Sequence, residues 1–144
     1  MTPGADPAAI VAARASGLRI VTALCLALAP LPPAAAALRD GPTGLTLAGS
    51  AALVVLAVLV RAGGDALARH GLALAMMGQI MLLTAVMTGH PWQVDIHMMF
   101  FAALAALVVL ADRSVLLAAA LAVAIHHVGL SVSFPALVYP DADL

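Results

Sequence analysis

Two long apolar runs near the C-terminus decide the fold: residues 94–110 are VDIHMMFFAALAALVVL and residues 115–134 are VLLAAALAVAIHHVGLSVSF, with only ADRS between them. Crossing the hydrocarbon core of a bilayer takes about 17–25 predominantly apolar residues, and both runs are long enough. Backbone polar groups in lipid must pair within the segment, so each run is predicted to be a helix. Because the connection is so short, the two helices should be antiparallel neighbours.

The rest of the chain continues this pattern. Of its 144 residues, 65% are hydrophobic and 9% are charged, and the mean hydropathy is +1.14. Soluble domains carry about 25% charged residues, and a chain of this size could not bury so much apolar surface in water. The alternating polarity of a membrane β-barrel is not visible. We therefore predict an all-α integral membrane bundle of about five transmembrane helices. The predicted spans are residues 17–38, 44–60, 67–88, 94–110 and 115–134, between an N-terminal tail (1–16) and a C-terminal tail (139–144).

The first run allows an alternative. Arg14 and Arg19 precede its apolar core and Ala-rich sequence follows, as in a secretory signal peptide. The run is long for such a segment and contains Pro30, Pro32 and Pro33. A membrane span therefore remains the favoured interpretation.

The arginines predict the orientation of the bundle. With the N-terminus in the cytoplasm, five of the six basic residues lie on the cytoplasmic side, as the positive-inside rule requires. Only Arg39 lies on the other side. The net charge of −1 and the lack of a basic stripe argue against binding of nucleic acid. The arginines on the cytoplasmic side are Arg14, Arg19, Arg61, Arg69 and Arg113.

Polar residues inside the predicted spans are the candidate functional residues, because an ionisable group in a membrane is costly and marks a functional site by default. At 1.5 Å per residue, Gln79, His97 and the pair at 126–127 lie about 8–15 Å from the outer surface. His90 and Asp95 lie above them at the interface, and His70 lies at the opposite end. The predicted ligand-binding residues are Gln79, His90, Asp95, His97, His126 and His127.

Three interpretations of these residues remain open. Imidazole and thioether groups suit copper, which predicts a metal site made of His97, Met98, His126 and His127. Two histidines on facing helices of an Ala-rich bundle could instead hold haem b. The third interpretation is structural, with the polar side chains forming hydrogen bonds between helices. Neither a catalytic triad, nor a metalloprotease motif, nor a phosphate loop is recognisable, so we expect no enzymatic activity.

Several short motifs resemble the N-terminal membrane region of a group of bacterial methyl-accepting chemotaxis proteins. The resemblance covers about residues 72–140, and its most specific segment is GHPWQVDIHM at 89–98. Met99 departs from the family pattern, which usually has an aromatic residue there. The other segments are MGQ at 77–79, FFAALA at 100–105, AIHH at 124–127 and FPALVYP at 134–140.

The resemblance implies a sensory input domain of a chemotaxis-type signal transducer in the bacterial inner membrane, with copper or a small ligand as its signal. In that family a sixth helix and a cytoplasmic signalling domain follow these spans, so the resemblance implies either a fragment of such a protein or a free-standing sensor module. We also expect a homo-oligomer within the lipid bilayer. One alternative is a haem-binding module for electron transfer or for redox or gas sensing. The other alternative is a plain membrane anchor.

Overall fold

The computed structural model describes residues 6–138, and it contains helices but no strand in that range. Five stretches are long and apolar enough to cross a membrane, the first being Pro7–Leu38. The predicted all-α membrane bundle is therefore confirmed. The helices are α1 (Pro7–Leu28), α2 (Leu31–Leu38), α3 (Thr43–Arg61), α4 (Asp65–Val86), α5 (Gln93–Leu107) and α6 (Arg113–Ser133), with 3-10 turns at Val108–Leu110 and Pro135–Leu137.

The first helix begins earlier than the sequence predicts. It starts at Pro7, so residues 7–16 are helical rather than part of a tail. Asp6 caps this start by accepting a hydrogen bond of 3.0 Å from the backbone N–H of Ala8. Proline in the first helical turn costs no hydrogen bond, because that N–H has no intrahelical partner. The predicted C-terminal tail at 139–144 lies outside the described residues.

Proline also divides the first span in two. The helix breaks between Leu28 and Leu31, where Pro30 has no N–H to donate to the preceding turn. The chain then continues as α2 in the same span. The predicted interruption of the apolar run is thus a break between two helices.

The helix α4 is the centre of the bundle and packs against α1, α2, α3, α5 and α6. In the most apolar 18-residue stretch of α4, 61% of the residues are buried, against 11% in the corresponding stretch of α6. The helix α6 therefore lies at the periphery of the bundle. Small residues permit close helix contacts. At Gly71, a side chain would collide with Val60 of α3, and at Gly17 it would collide with the backbone of Val109.

Arginine side chains tie the helices together at the two ends of the bundle. At one end, Arg14 donates to the carbonyl of Ala111 at 3.1 Å, and Arg61 donates to the hydroxyl of Thr22 at 2.9 Å. At the other end, Arg39 donates to the carbonyl of Val86 at 2.9 Å. The structure therefore places Arg39 at the end of the bundle opposite to Arg14 and Arg61, as the sequence predicts.

Candidate functional site

The candidate site is a contact between two histidine rings on neighbouring helices. His97 lies in the second turn of α5 and His127 lies in the second half of α6. Their ring centroids are 5.6 Å apart and the rings are tilted by 58°. The short connection between the two helices makes them antiparallel, and this brings the start of α5 beside the end of α6.

Backbone hydrogen bonds fix the tautomer of both rings. Nδ1 of His97 lies 2.9 Å from the carbonyl oxygen of Gln93, and Nδ1 of His127 lies 2.8 Å from that of Val123. A carbonyl oxygen can only accept, so each Nδ1 must carry the hydrogen. In the neutral ring, Nε2 then presents a lone pair. Histidines that bind metal commonly have this arrangement, because the bonded Nδ1 orients the ring.

Two imidazole nitrogens in the site are buried without a partner. They are Nε2 of His97 and Nε2 of His126, and they have no hydrogen bond from any described residue. Burying such a group without a hydrogen bond costs about 1–3 kcal/mol. The site therefore contains two imidazole nitrogens without a bonding partner, and a ligand could bond to them.

The ring of Phe100 lies beside three histidine rings. We call these four residues the histidine cluster: His97, Phe100, His126 and His127. The ring centroid of Phe100 lies 6.1 Å from that of His97, 5.7 Å from that of His126 and 5.5 Å from that of His127. The adjacent rings of His126 and His127 are 5.4 Å apart and nearly perpendicular. Both members of the pair therefore belong to the cluster.

The cluster limits the kind of metal site that could form. Across residues 6–138, no group of three or more His, Cys, Asp or Glu side chains is arranged to hold a metal ion. Met98, a predicted ligand, is 58% exposed on the outside of α5. Met99 instead packs against the core. Two imidazoles are thus the ligands that this arrangement offers to a single ion.

The geometry does not fit haem b between His97 and His127. Axial ligands must lie on opposite faces of the macrocycle, which needs an open slot between the two rings. The ring centroids of His97 and His127 are only 5.6 Å apart, and the ring of Phe100 lies within 6.1 Å of both, so the described residues show no open slot between the two rings. The haem interpretation therefore finds no support in these residues.

Gln79 does not belong to the histidine cluster. It is buried in α4 and faces α3, where its Nε2 donates to the carbonyl of Ser50 at 3.0 Å and its Oε1 lies 2.9 Å from the Ser50 hydroxyl. That hydroxyl also lies 2.6 Å from the carbonyl of Ala29. These hydrogen bonds join α4 to α3 at the break between α1 and α2, and the assignment of Gln79 as a ligand-binding residue stays a prediction.

Among the described residues, no hydrogen bond or ring contact joins the two predicted interface residues, His90 and Asp95, to the cluster, and their part in ligand binding stays a prediction. Nδ1 of His90 accepts a hydrogen bond from the backbone N–H of Trp92 at 3.1 Å, and the two rings are in contact at 5.5 Å. His90 thus shapes the turn between α4 and α5. Asp95 is exposed in the first turn of α5, where a carboxylate favours the positive end of the helix dipole.

Gln93 is the important site residue that the sequence analysis missed. Its fully buried side chain accepts from the N–H of Gly89 at 2.9 Å and donates to the carbonyl of Ala136 at 3.1 Å. Its own carbonyl holds the ring of His97. One residue therefore connects the α4–α5 turn, the histidine cluster and the 3-10 turn after α6. A glutamine directly before an apolar run was the available signal.

No protein-family model matches the chain, and no curated protein or solved structure is significantly similar to it. The resemblance to chemotaxis receptors therefore stays a prediction from short motifs.

Proposed function

We propose that this chain is a membrane-embedded sensory input module that binds copper, as Cu(I), between α5 and α6. The observation that carries the proposal is the buried, unpartnered Nε2 of His97 beside the ring of His127. The motif resemblance supports a chemotaxis-type transducer in a bacterial inner membrane, and the distribution of the arginines supports a cytoplasmic N-terminus. A small organic ligand that bonds to the same nitrogens is the alternative signal.

Cu(I) suits this site better than a harder cation. It accepts two neutral imidazoles without a third donor, and copper binds imidazole and thioether groups well. A groove of about 410 Å³ between α4 and α6 is lined by both Met81 and His126. A soft thioether and the second unpartnered imidazole therefore line one groove next to the histidine cluster.

The bound ion would act by joining two helices that differ in burial. Both helices pack against the central α4, but fewer residues are buried in α6, which lies at the edge of the bundle, than in α5. A ligand shifts such a packing only if it binds one arrangement more tightly than another. Bridging His97 to His127 meets this condition, because the bridge requires the two rings to stay together.

Copper binding to single variants of the purified protein tests the proposal. We expect Cu(I), supplied with a competing chelator, to bind at one ion per chain. His97→Ala and His127→Ala should each weaken binding at least tenfold. His70→Ala is the matched control, because His70 lies on α4 at the opposite end of the bundle. Unchanged binding in both cluster variants, or equal weakening in the control, would remove the copper proposal.

A purely structural role is the second candidate, consistent with a membrane anchor. It is favoured by the lack of a three-donor metal group within residues 6–138. This role predicts that His97→Ala lowers the melting temperature equally with and without copper. The sensory role predicts that copper raises the melting temperature of the parent protein alone, because a ligand of the folded state stabilises it.

A further inference from the structure

A groove between α1 and α3 lies at the end of the bundle that contains Arg14 and Arg61. Its volume is about 410 Å³ and most of its wall is apolar. Two arginines, one from each helix, lie on this wall. The lining residues are Arg19, Thr22, Ala23, Leu26, Ala57, Val58 and Arg61.

Both arginines keep most of their hydrogen-bonding capacity. Arg61 uses one nitrogen, NH1, which donates to Thr22 and to the carbonyl of Leu18. Arg19 uses one nitrogen, NH2, which donates to the hydroxyl of Ser16 at 3.0 Å. A guanidinium carries five N–H donors in a fixed fork. Each side chain can therefore bind a further acceptor without losing its present contacts.

Within residues 6–138, no acidic side chain forms an ion pair with either arginine. In the part of the chain that the structure describes, the one ion pair joins Arg69 to Asp112. Arg19 and Arg61 are both exposed and lie at the rim of an apolar groove. The groove thus offers two positive charges at one end and an apolar surface along its length. This arrangement is complementary to a molecule that has an anionic head and an apolar tail.

We propose that this groove binds one anionic phospholipid. The headgroup phosphate would lie on Arg19 and Arg61, because guanidinium groups bind phosphate in a bidentate manner. Leu26 is seven residues beyond Arg19, or about 10 Å along the helix, so the groove extends past the headgroup into the acyl region. Basic pockets between transmembrane helices are known to hold anionic headgroups. The bound lipid would fill the space between α1 and α3.

This proposal is independent of the histidine cluster. The groove is formed by α1 and α3, whereas the cluster is formed by α5 and α6. Loss of copper binding would leave the lipid site intact. Loss of lipid binding would leave the two histidine rings in contact.

Native mass spectrometry of the delipidated protein tests the proposal. Phosphatidylglycerol and phosphatidylethanolamine with the same acyl chains are added in turn, and the retained lipid is counted. We expect one phosphatidylglycerol per chain, retained at least fivefold more than phosphatidylethanolamine. The double variant Arg19→Gln with Arg61→Gln should lose this preference. Arg113→Gln is the matched control, since Arg113 is exposed on α6 and does not line the groove.

A second variant tests the groove while keeping both charges. Ala23→Phe should fill the groove and reduce retention of phosphatidylglycerol, whereas Ala120→Phe on the exposed face of α6 should not. Equal retention of the two lipids by the parent protein would overturn the proposal. So would equal loss in Arg113→Gln, which would indicate a general charge effect. Displacement of the lipid by millimolar inorganic phosphate would show a simple anion site and also overturn it.

Discussion

Nε of Arg69 on α4 lies 3.0 Å from a carboxylate oxygen of Asp112, the residue that caps the N-terminus of α6. The side chains are only 9% and 13% exposed. The other carboxylate oxygen of Asp112 accepts from the N–H of Ser114 at 3.0 Å and from its hydroxyl at 2.6 Å. This single carboxylate therefore anchors the peripheral helix α6 to the central helix.

Acid should weaken this anchor. The hydrogen bonds from Ser114, together with Arg69, lower the pKa of Asp112 from its ordinary value of 3.8 to about 2. A carboxyl whose folded pKa is depressed stabilises the fold fully above its unfolded pKa. That contribution is lost as the pH falls from about 4 towards about 2. We expect the melting temperature to fall over this range, and Asp112→Asn to reduce the pH dependence. An identical acid profile in the variant would contradict this assignment.

Removing the Asp112 side chain should cost more than neutralising it. Asp112→Asn keeps a residue that can cap α6, whereas Asp112→Ala removes the cap and the partner of Arg69. Loss of a cap alone costs about 1 kcal/mol. Thermal unfolding in detergent should therefore rank the alanine variant below the asparagine variant. Asp6→Ala, which removes the exposed cap of α1, is the control and should have a smaller effect.

Gln93 should be needed for the end of the bundle at which α5 begins and α6 ends. Gln93→Leu keeps a side chain of similar volume but removes the hydrogen bonds to the N–H of Gly89 and to the carbonyl of Ala136. Each lost hydrogen bond contributes about 0.5–1.5 kcal/mol to stability. We expect a lower free energy of unfolding and weaker copper binding, because the carbonyl that orients His97 lies in the same turn. A variant with parental stability would contradict this role. Gln93→Glu should be worse when ionised, because it places an unpaired negative charge on a fully buried side chain that faces the carbonyl oxygen of Ala136.

The contact between Gln79 and Ser50 should give a measurable coupling energy. Interhelical hydrogen bonds in a membrane average about 0.6 kcal/mol, because the reference state also finds partners. A double-mutant cycle with Gln79→Leu and Ser50→Ala should give a value of this order. Gln79→Leu should leave copper binding unchanged, since the residue faces α3. Loss of copper binding in this variant would instead indicate that Gln79 takes part in binding the ion.

Cysteine labelling in intact cells should establish the orientation. The proposed cytoplasmic N-terminus places Pro91 outside and Gly63 inside. A membrane-impermeant thiol reagent should therefore label Pro91→Cys and not Gly63→Cys. Both positions are exposed, and the native Cys25 is buried. Labelling of Gly63→Cys alone would reverse the assignment.

The sequence alone determined the class of the fold, because hydropathy records which solvent surrounds each segment. Runs such as residues 115–134 are too apolar for water and long enough for lipid, and hydrogen bonding in lipid leaves the helix as their structure. The connection of four residues before this run made α5 and α6 antiparallel, which placed His97 near the pair at 126–127. This part of the candidate site followed from chain length and rise per residue.

Only the tertiary structure decided which way each side chain points. A soluble helix shows its buried face as an apolar stripe, but lipid and core are both apolar, so these helices have no such stripe. The sequence could not show that Met98 faces outward, or that Gln79 faces Ser50 rather than the histidines. The role of Gln93 was also not visible in the sequence, because its hydrogen-bond partner Ala136 is 43 residues away and only the folded chain brings the two into contact.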